Sequence, residues 1–368
     1  ARYAIRDGIL DMVAMTRAHI ADPQIVNKIR RGEEDRIRPC FGASHCMHKK
    51  PSCIHNPASG RETKLPHVIE RSGTPGKTVV IVGGGPAGME AGRVAAERGH
   101  TVTLFEAAPK LGGQVLLAAR CSWRKDMISI VDWRVNELEH LGIDVRLNVY
   151  ATGDDVMALR PDVVIVATGG LPNPGDFEGQ ELCQSTWEML SGEIQPADDI
   201  LVYDGTGRHE ALSCADQLAV GGATVTLATI DDRVGAEMGY AERATHRKQM
   251  YKNGVTMVHD LALRSVTKKG NGLLATLTND LTDEQVEIEA KQIIVERGTA
   301  PLDEVFHELR GAAINKGATD IDALVNNTPQ PYNDGNTDGY VLYRVGDAVS
   351  SGSLHAALLD AFRIAVTL

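Results

Sequence analysis

The apolar stretch Lys77 to Val82 runs straight into Gly83-x-Gly85-x-x-Gly88, and nothing else in the sequence narrows the fold as much. A helical pattern follows, then a second apolar run, Thr101 to Phe105, closing on Glu106. Strand, glycine turn, helix, strand and terminal acid in that order are the signature of a dinucleotide site. Gly83 makes the tight turn, Gly85 lets the backbone approach a pyrophosphate, and Gly88 lets the helix sit close to the sheet. Pro86 and Ala87 open the helix, whose free N–H groups face the phosphates. Glu106 stands where a carboxylate accepts ribose hydroxyls.

A chain of 368 residues is expected to hold two or three domains. Hydrophobic content of 43% with only 4% aromatics suits an α/β protein packed with Ala, Val and Leu. The net charge of −11, without a basic stripe, argues against a nucleic-acid partner. No apolar run is long enough to span a bilayer, and no secretory signal is evident. Cys40, Cys46 and Cys53 cluster, whereas Cys121, Cys183 and Cys214 are scattered. That usage points to a reducing, cytoplasmic compartment and a metal site, not to a disulfide framework. Ala1 falls inside a helical pattern, so the chain reads as a piece of a larger polypeptide.

Residues 1–38 read as a helix, a short strand at Asp11 to Met15, a turn and a second helix from about Pro23. Residues 39–75 are rich in Cys, His, Pro and Gly, a loop held by something other than an apolar core. An α/β pattern begins at Lys77, with strands near 78–82, 101–105, 143–147 and 163–167. A second α/β unit spans about 199–296, with a strand at Ile200 to Tyr203, a helix at His209 to Val220, a strand at Thr224 to Ala228 and a β-rich part beyond 255. The tail from 297 ends in a strand, Gly346-Asp347 and a helix. The expected division is 1–38, 39–75, 76–198 with 297–368, and 199–296, one domain inserted in another.

Three further segments support the first motif. Leu111-Gly-Gly113-Gln114 follows Glu106, Val164-Ile-Val-Ala167-Thr168-Gly169 is a strand ending in a small-residue turn, and Gly346-Asp347 ends another strand. Together they resemble the FAD domain of the two-dinucleotide-domain flavoprotein reductases. That resemblance implies that Asp347 reaches the ribitol and pyrophosphate side of FAD; capping a helix is a compatible reading. The second unit differs. Aligning its first strand on Val79 to Val82 puts Asp204 on Gly83, Thr206 on Gly85 and His209 on Gly88. A carboxylate there faces pyrophosphate oxygens at close range, so this unit is expected to keep the shape and lack the nucleotide.

Cys40, His45, Cys46, His48, Cys53 and His55 lie within 16 positions, as zinc or iron–sulfur ligands do. Cys40, Cys46 and Cys53 supply three ligands. The fourth is an imidazole, assigned to His45, with His48 and His55 also in reach. Upstream, Arg17 stands between a strand and a helix, as suits a phosphate at the C-terminal face of a TIM barrel.

This order resembles trimethylamine dehydrogenase and 2,4-dienoyl-CoA reductase among the old-yellow-enzyme-like NADH:flavin oxidoreductases. The match is nearest to the N-methylproline, stachydrine and dimethylglycine demethylase branch. The resemblance implies two Rossmann-like domains preceded by the end of a TIM barrel, whose main part lies upstream and holds FMN and substrate, with Arg17 at the FMN phosphate. Ala43 stands where the family's loop has its second thiol, so a zinc site is favoured over a histidine-ligated or three-iron cluster. Glu296-Arg297-Gly298 replaces the Ala-Thr-Gly common in reductases, for no reason visible in the sequence.

The resulting expectation is the electron-handling portion of a flavin-dependent oxidative N-demethylase. It would bind FAD, or ADP alone, and a metal, within a larger oligomer. It would act with a small methylated amine and pass electrons to a flavoprotein acceptor or partner subunit. An NAD(P)H-dependent ene or dienoyl-CoA reductase is one alternative. A structural module stabilised by nucleotide and zinc is another. No catalytic base is assigned, and Cys121 and Cys183 form no redox motif. His355 is read as a helix-packing residue.

Overall fold

A computed structural model describes residues 2–47, 51–121, 124–331 and 339–368. The segments Thr78–Val82, Thr101–Glu106, Asp144–Leu147, Val163–Val166 and Val341–Arg344, the first and fourth of them unbroken β-branched runs, form a five-stranded parallel sheet. Its order, 341–344, 163–166, 78–82, 101–106, 144–147, puts the glycine-loop strand at the centre, with crossovers leaving it in both directions. Ligands bind at such a switch point, beyond the carboxyl ends of the strands.

Central strands of a parallel sheet are covered on both faces and so read as continuous apolar runs. Val79 and Ile81 face one core, with Met89 and Val94 of the helix Pro86–Glu97 and Ala361 and Phe362 of the C-terminal helix Leu354–Val366. Val80 and Val82 face the other, with Phe105, Val305, Phe306 and Leu309. Each of these Val, Ile, Leu, Met and Phe side chains contributes about 1.5–3 kcal/mol by leaving water.

A second parallel sheet repeats the plan in the order 184–185, 292–296, 199–204, 224–229, 256–258. One of its faces is covered by the helix His209–Val220 and the other by a three-stranded antiparallel sheet, 262–269, 272–278 and 285–290. The chain leaves the first unit and returns to it through an antiparallel ribbon, Gly170–Pro172 against Thr299–Pro301.

The N-terminal segment carries the short helices Arg2–Arg6, Thr16–Ala21 and Ile25–Arg31. The strand expected at Asp11 to Met15 does not form: among the described residues no strand precedes Thr78, and Met12 is 82% exposed. Without a neighbouring strand, an extended segment has no partner for its backbone groups. Arg17 is therefore an exposed residue in the first turn of a helix, with no strand before it. Asp22 is the hub of this region. Its carboxylate accepts from Lys28 Nζ at 2.7 Å, from the Arg38 backbone N–H at 2.8 Å and from the Gln24 backbone N–H at 3.0 Å. Asn56 Nδ2 donates to Ala21 O, and Ser59 Oγ to Ile20 O, tying the end of the Cys loop to the same turn.

A buried ion network joins that loop to the first unit. Glu90, fully buried, pairs with Arg93 at 2.7 Å and with Arg134 at 2.9 Å. Arg134 Nη2 also donates to His55 O, and Trp133 Nε1 donates to Arg36 O. Burial alone would raise Glu90, but the guanidinium groups of Arg93, Arg134 and Arg38 hold it well below the usual carboxylate range.

Candidate nucleotide site

Gly83 lies at φ +108°, and a Cβ there would meet Ala167 O at 2.3 Å. A Cβ on Gly88 would stand 1.9 Å from Gly83 O, so only hydrogen permits this approach of helix to turn. Gly85 is different. A Cβ there would meet nothing within 4 Å, so the loop opens to space at the position where a pyrophosphate must come close. Pro86 and Ala87 begin the helix, and Gly85 is its N-cap.

The loop is held from two sides. Glu106 accepts from the Gly84 N–H at 2.6 Å through one oxygen and from the Ala108 N–H at 2.7 Å through the other. Each oxygen keeps a further lone pair for a ribose hydroxyl. Gly112 donates to Gly84 O at 2.9 Å, and a Cβ on Gly113 would lie 3.3 Å from Gly85 Cα, so Leu111 to Gln114 arches over the turn. Ala167 donates to Val82 O at 2.7 Å, while Thr168 Oγ1 donates to Leu302 O and Leu302 donates to Gly169 O.

Asp347 ends the row. It lies in a 3₁₀ turn, Gly346–Ala348, where Gly346 adopts φ +65°. Its carboxylate accepts from Gln114 Nε2 at 3.0 Å, Thr299 Oγ1 at 3.1 Å and the Gly352 N–H at 3.1 Å. The N-cap of the last helix is Ser353, so Asp347 does not cap it. The structure thus brings Gly83, Gly85, Gly88, Glu106, Gly113, Gln114, Ala167, Gly169 and Asp347 to one edge of one sheet.

The second unit places acids where the first has small residues. Val82 pairs with Val166 and with Phe105, so the next residues in register are Gly83, Ala167 and Glu106. The matching trio in the second sheet is Asp204, Glu296 and Thr229. Asp204 is fully buried, and burial pushes its pKa up to about 6. Glu296 accepts from Thr186 Oγ1 and from the Gly298 N–H; burial, with Glu210 and Asp204 nearby, pushes it up to about 7. A small cavity between the units is bridged by Arg208, whose Nη1 donates to Ser351 Oγ at 3.2 Å and Gly352 O at 3.3 Å.

Cys40 is exposed and Cys46 and Cys53 are half-buried. Among the described residues no three His, Cys, Asp or Glu side chains are arranged to hold a metal ion. The donor chemistry suits zinc or iron. Of the imidazoles weighed, His48 lies outside the described residues, and His55 is buried edge-on to Trp133 with Nδ1 at Pro39 O. His45 sits against His355, ring centroids 4.9 Å apart. His355 also has Nδ1 at 3.1 Å from Cys53 O, so it ties the C-terminal helix to the Cys loop. Sequence reasoning missed this role, and the only available signal was its place eight residues after Asp347.

A glycine loop open at a switch point, with an acid on the next strand, defines a dinucleotide-binding fold. Residues 77–332 match the model of the family described as pyridine nucleotide-disulphide oxidoreductase, and the chain belongs to that family. It is 45% identical over 370 residues to the "Multifunctional alkene reductase/demethylase OYE" of Caballeronia cordobensis, covering 100% of this chain and 55% of that one. It is 42% identical to the "N,N-dimethylglycine/sarcosine dehydrogenase" of Chromohalobacter salexigens, covering 99% and 55%. The chain thus spans about half the length of the curated relatives it matches. Among solved structures it resembles 6-hydroxypseudooxynicotine amine oxidase from Pseudomonas geniculata, with TM-score 0.84, 25% identity, and 99% and 54% of the two chains covered. The resemblance to the demethylase branch is borne out by these relatives, as are the Rossmann-like sheets. No helix among the described residues is long and apolar enough to cross a membrane.

Proposed function

We propose that this chain is the electron-handling portion of a flavin-dependent oxidative N-demethylase for a methylated amine of the dimethylglycine or N-methylproline type. The first loop holds the adenosine diphosphate half of FAD, or ADP itself. The Gly83–Gly88 turn and the helix beginning at Pro86 face the pyrophosphate, Glu106 faces the ribose, and Gln114 and Asp347 face the ribitol side. When bound, the flavins of the whole protein supply the two-electron oxidation of the N-methyl carbon, and hydrolysis then yields demethylated amine and formaldehyde. FMN and substrate belong to a barrel upstream, with Arg17 toward the FMN phosphate. Cys40, Cys46 and Cys53, with an imidazole, bind zinc or an iron–sulfur group. Electrons leave to a flavoprotein or partner subunit in a larger cytoplasmic assembly.

The observation that carries this reading is the contrast between an open first loop and an acid-filled second one. The test uses the full-length protein. Acid-released nucleotide is identified by chromatography, metal is counted, and formaldehyde is measured with dimethylglycine and a dye acceptor. One adenine nucleotide per chain and formaldehyde without NADH consumption are expected. NADH oxidation that depends on an added activated alkene, with no formaldehyde from dimethylglycine, would instead support the ene-reductase alternative; the name of the 45% identical relative carries both activities.

A further inference from the structure

We propose that the Asp204 carboxylate is an internal stand-in for a phosphate: it occupies the anion place of the second loop and thereby bars a pyridine dinucleotide from that unit. The inference rests on the reading that the second unit holds no nucleotide, and it names the cause.

Three donors converge on one oxygen. Asp204 Oδ1 accepts from the Thr206 N–H at 3.0 Å, the Gly207 N–H at 2.9 Å and Thr206 Oγ1 at 3.1 Å. These groups lie between the end of the strand Asp199–Asp204 and the helix His209–Val220. In a dinucleotide site the backbone N–H groups of this segment face outward to phosphate. Here they turn inward onto a side chain of the same loop. The first loop has no such acceptor, because Gly83 stands at the register position of Asp204.

The other oxygen makes the site hostile to a second anion. Asp204 Oδ2 is buried without a hydrogen-bond partner. Glu296 lies beside Asp204 in register, and Asp231 Oδ2 comes within 2.5 Å of where a Cβ on Gly207 would be. A pyrophosphate entering this edge meets the buried Asp204 carboxylate, with Glu296 beside it and the half-buried Asp231 at the rim, and like charges at close range in such surroundings are costly. The acid that would hold a ribose is also missing: its register position carries Thr229, whose hydroxyl accepts from the Asp231 N–H.

The experiment titrates NADH into the full-length wild type, Asp204→Gly and Asp204→Ala, following dihydronicotinamide fluorescence, with circular dichroism to establish folding. The expected result is no saturable binding to the wild type and binding tighter by at least about tenfold in a folded variant, since the anion place is emptied and one buried charge removed. Folded variants that match the wild type would overturn the inference and leave the vacant second unit standing. Saturable binding of NADH by the wild type would sink both. Hydrogen exchange of the wild-type peptide over 204–212 is independent of the variants. It is expected to be slow without ligand and unchanged by NADH, and fast exchange at Thr206 and Gly207 would overturn the proposal.

Discussion

The two dinucleotide-type units share a strand order and a crossover helix, yet three positions in register separate them. The first carries Gly83, Ala167 and Glu106; the second carries Asp204, Glu296 and Thr229. In the first the acid stands off to one side, bonded to Gly84 and Ala108, and the space over Gly85 is open. In the second Asp204 sits at the loop itself and accepts from the N–H groups of Thr206 and Gly207. The fold supplies a helix N-terminus in both. One side chain decides whether that N-terminus faces a ligand or its own loop.

The units also differ in how they are anchored. The first is tied to the Cys loop through Glu90, Arg93 and Arg134, all nearly or fully buried. Glu90→Ala leaves the buried Arg134 without its carboxylate partner and Arg93 with Glu97 alone, and about 3–5 kcal/mol of stability should be lost. In the second unit the bond between Asn253 Nδ2 and Asp216 is neutral on one side, and Asn253→Ala should cost about 2 kcal/mol. Equal losses, read from urea unfolding of the full-length protein, would break the comparison.

The glycine loop gives the next largest effect. In Gly88→Ala the new methyl meets Gly83 O far inside contact distance, so helix or turn must shift. About 3 kcal/mol of destabilisation and loss of the adenine nucleotide are expected. His209, the residue aligned with Gly88, should tolerate Ala with no change in nucleotide content, as measured on acid-released nucleotide. Glu106→Ala is milder. Two backbone N–H groups lose their acceptor and a bound ribose loses its own, for about 1–2 kcal/mol and roughly tenfold weaker nucleotide binding by calorimetry. Thr229→Val, in the matching register, should leave nucleotide binding unchanged.

Much of this was legible along the chain. The order of strands and the glycine turn follow from local patterning, because Val and Ile runs closed by Gly admit few other structures. The alignment of Asp204 on Gly83 was readable too, and the strand register agrees with it. What sequence could not supply were pairings between distant segments. The bond from His355 to Cys53 spans 302 positions, and no periodicity encodes it. The Glu90–Arg134 pair spans 44 positions and looks in sequence like ordinary helix surface. The strand expected at Asp11 to Met15 failed for the converse reason: a strand is made by its neighbour, and none is present among the described residues. Glu296 had no account at all until the second sheet placed it beside Asp204.

That placement yields a smaller, pH-dependent effect. Burial, with Glu210 and Asp204 close by, raises the folded pKa of Glu296 from the usual 4.5 to about 7. The folded state therefore binds this proton more tightly than the unfolded chain does. Its contribution is complete below pH 4.5 and is lost as pH climbs from there through about 7. Glu296→Gln fixes the neutral form, and the amide oxygen still accepts from the Gly298 N–H. The variant should match the wild type near pH 5 and exceed it by about 1–3 kcal/mol at pH 8. Because Asp204 then loses a charged neighbour, its own carboxylate ionises more readily and should hold the second loop more firmly. Urea midpoints at both pH values are the measurement. A variant no more stable than the wild type at pH 8 would mean that Glu296 is not held against its charge, and that the acids at the second sheet's edge do not act as one group.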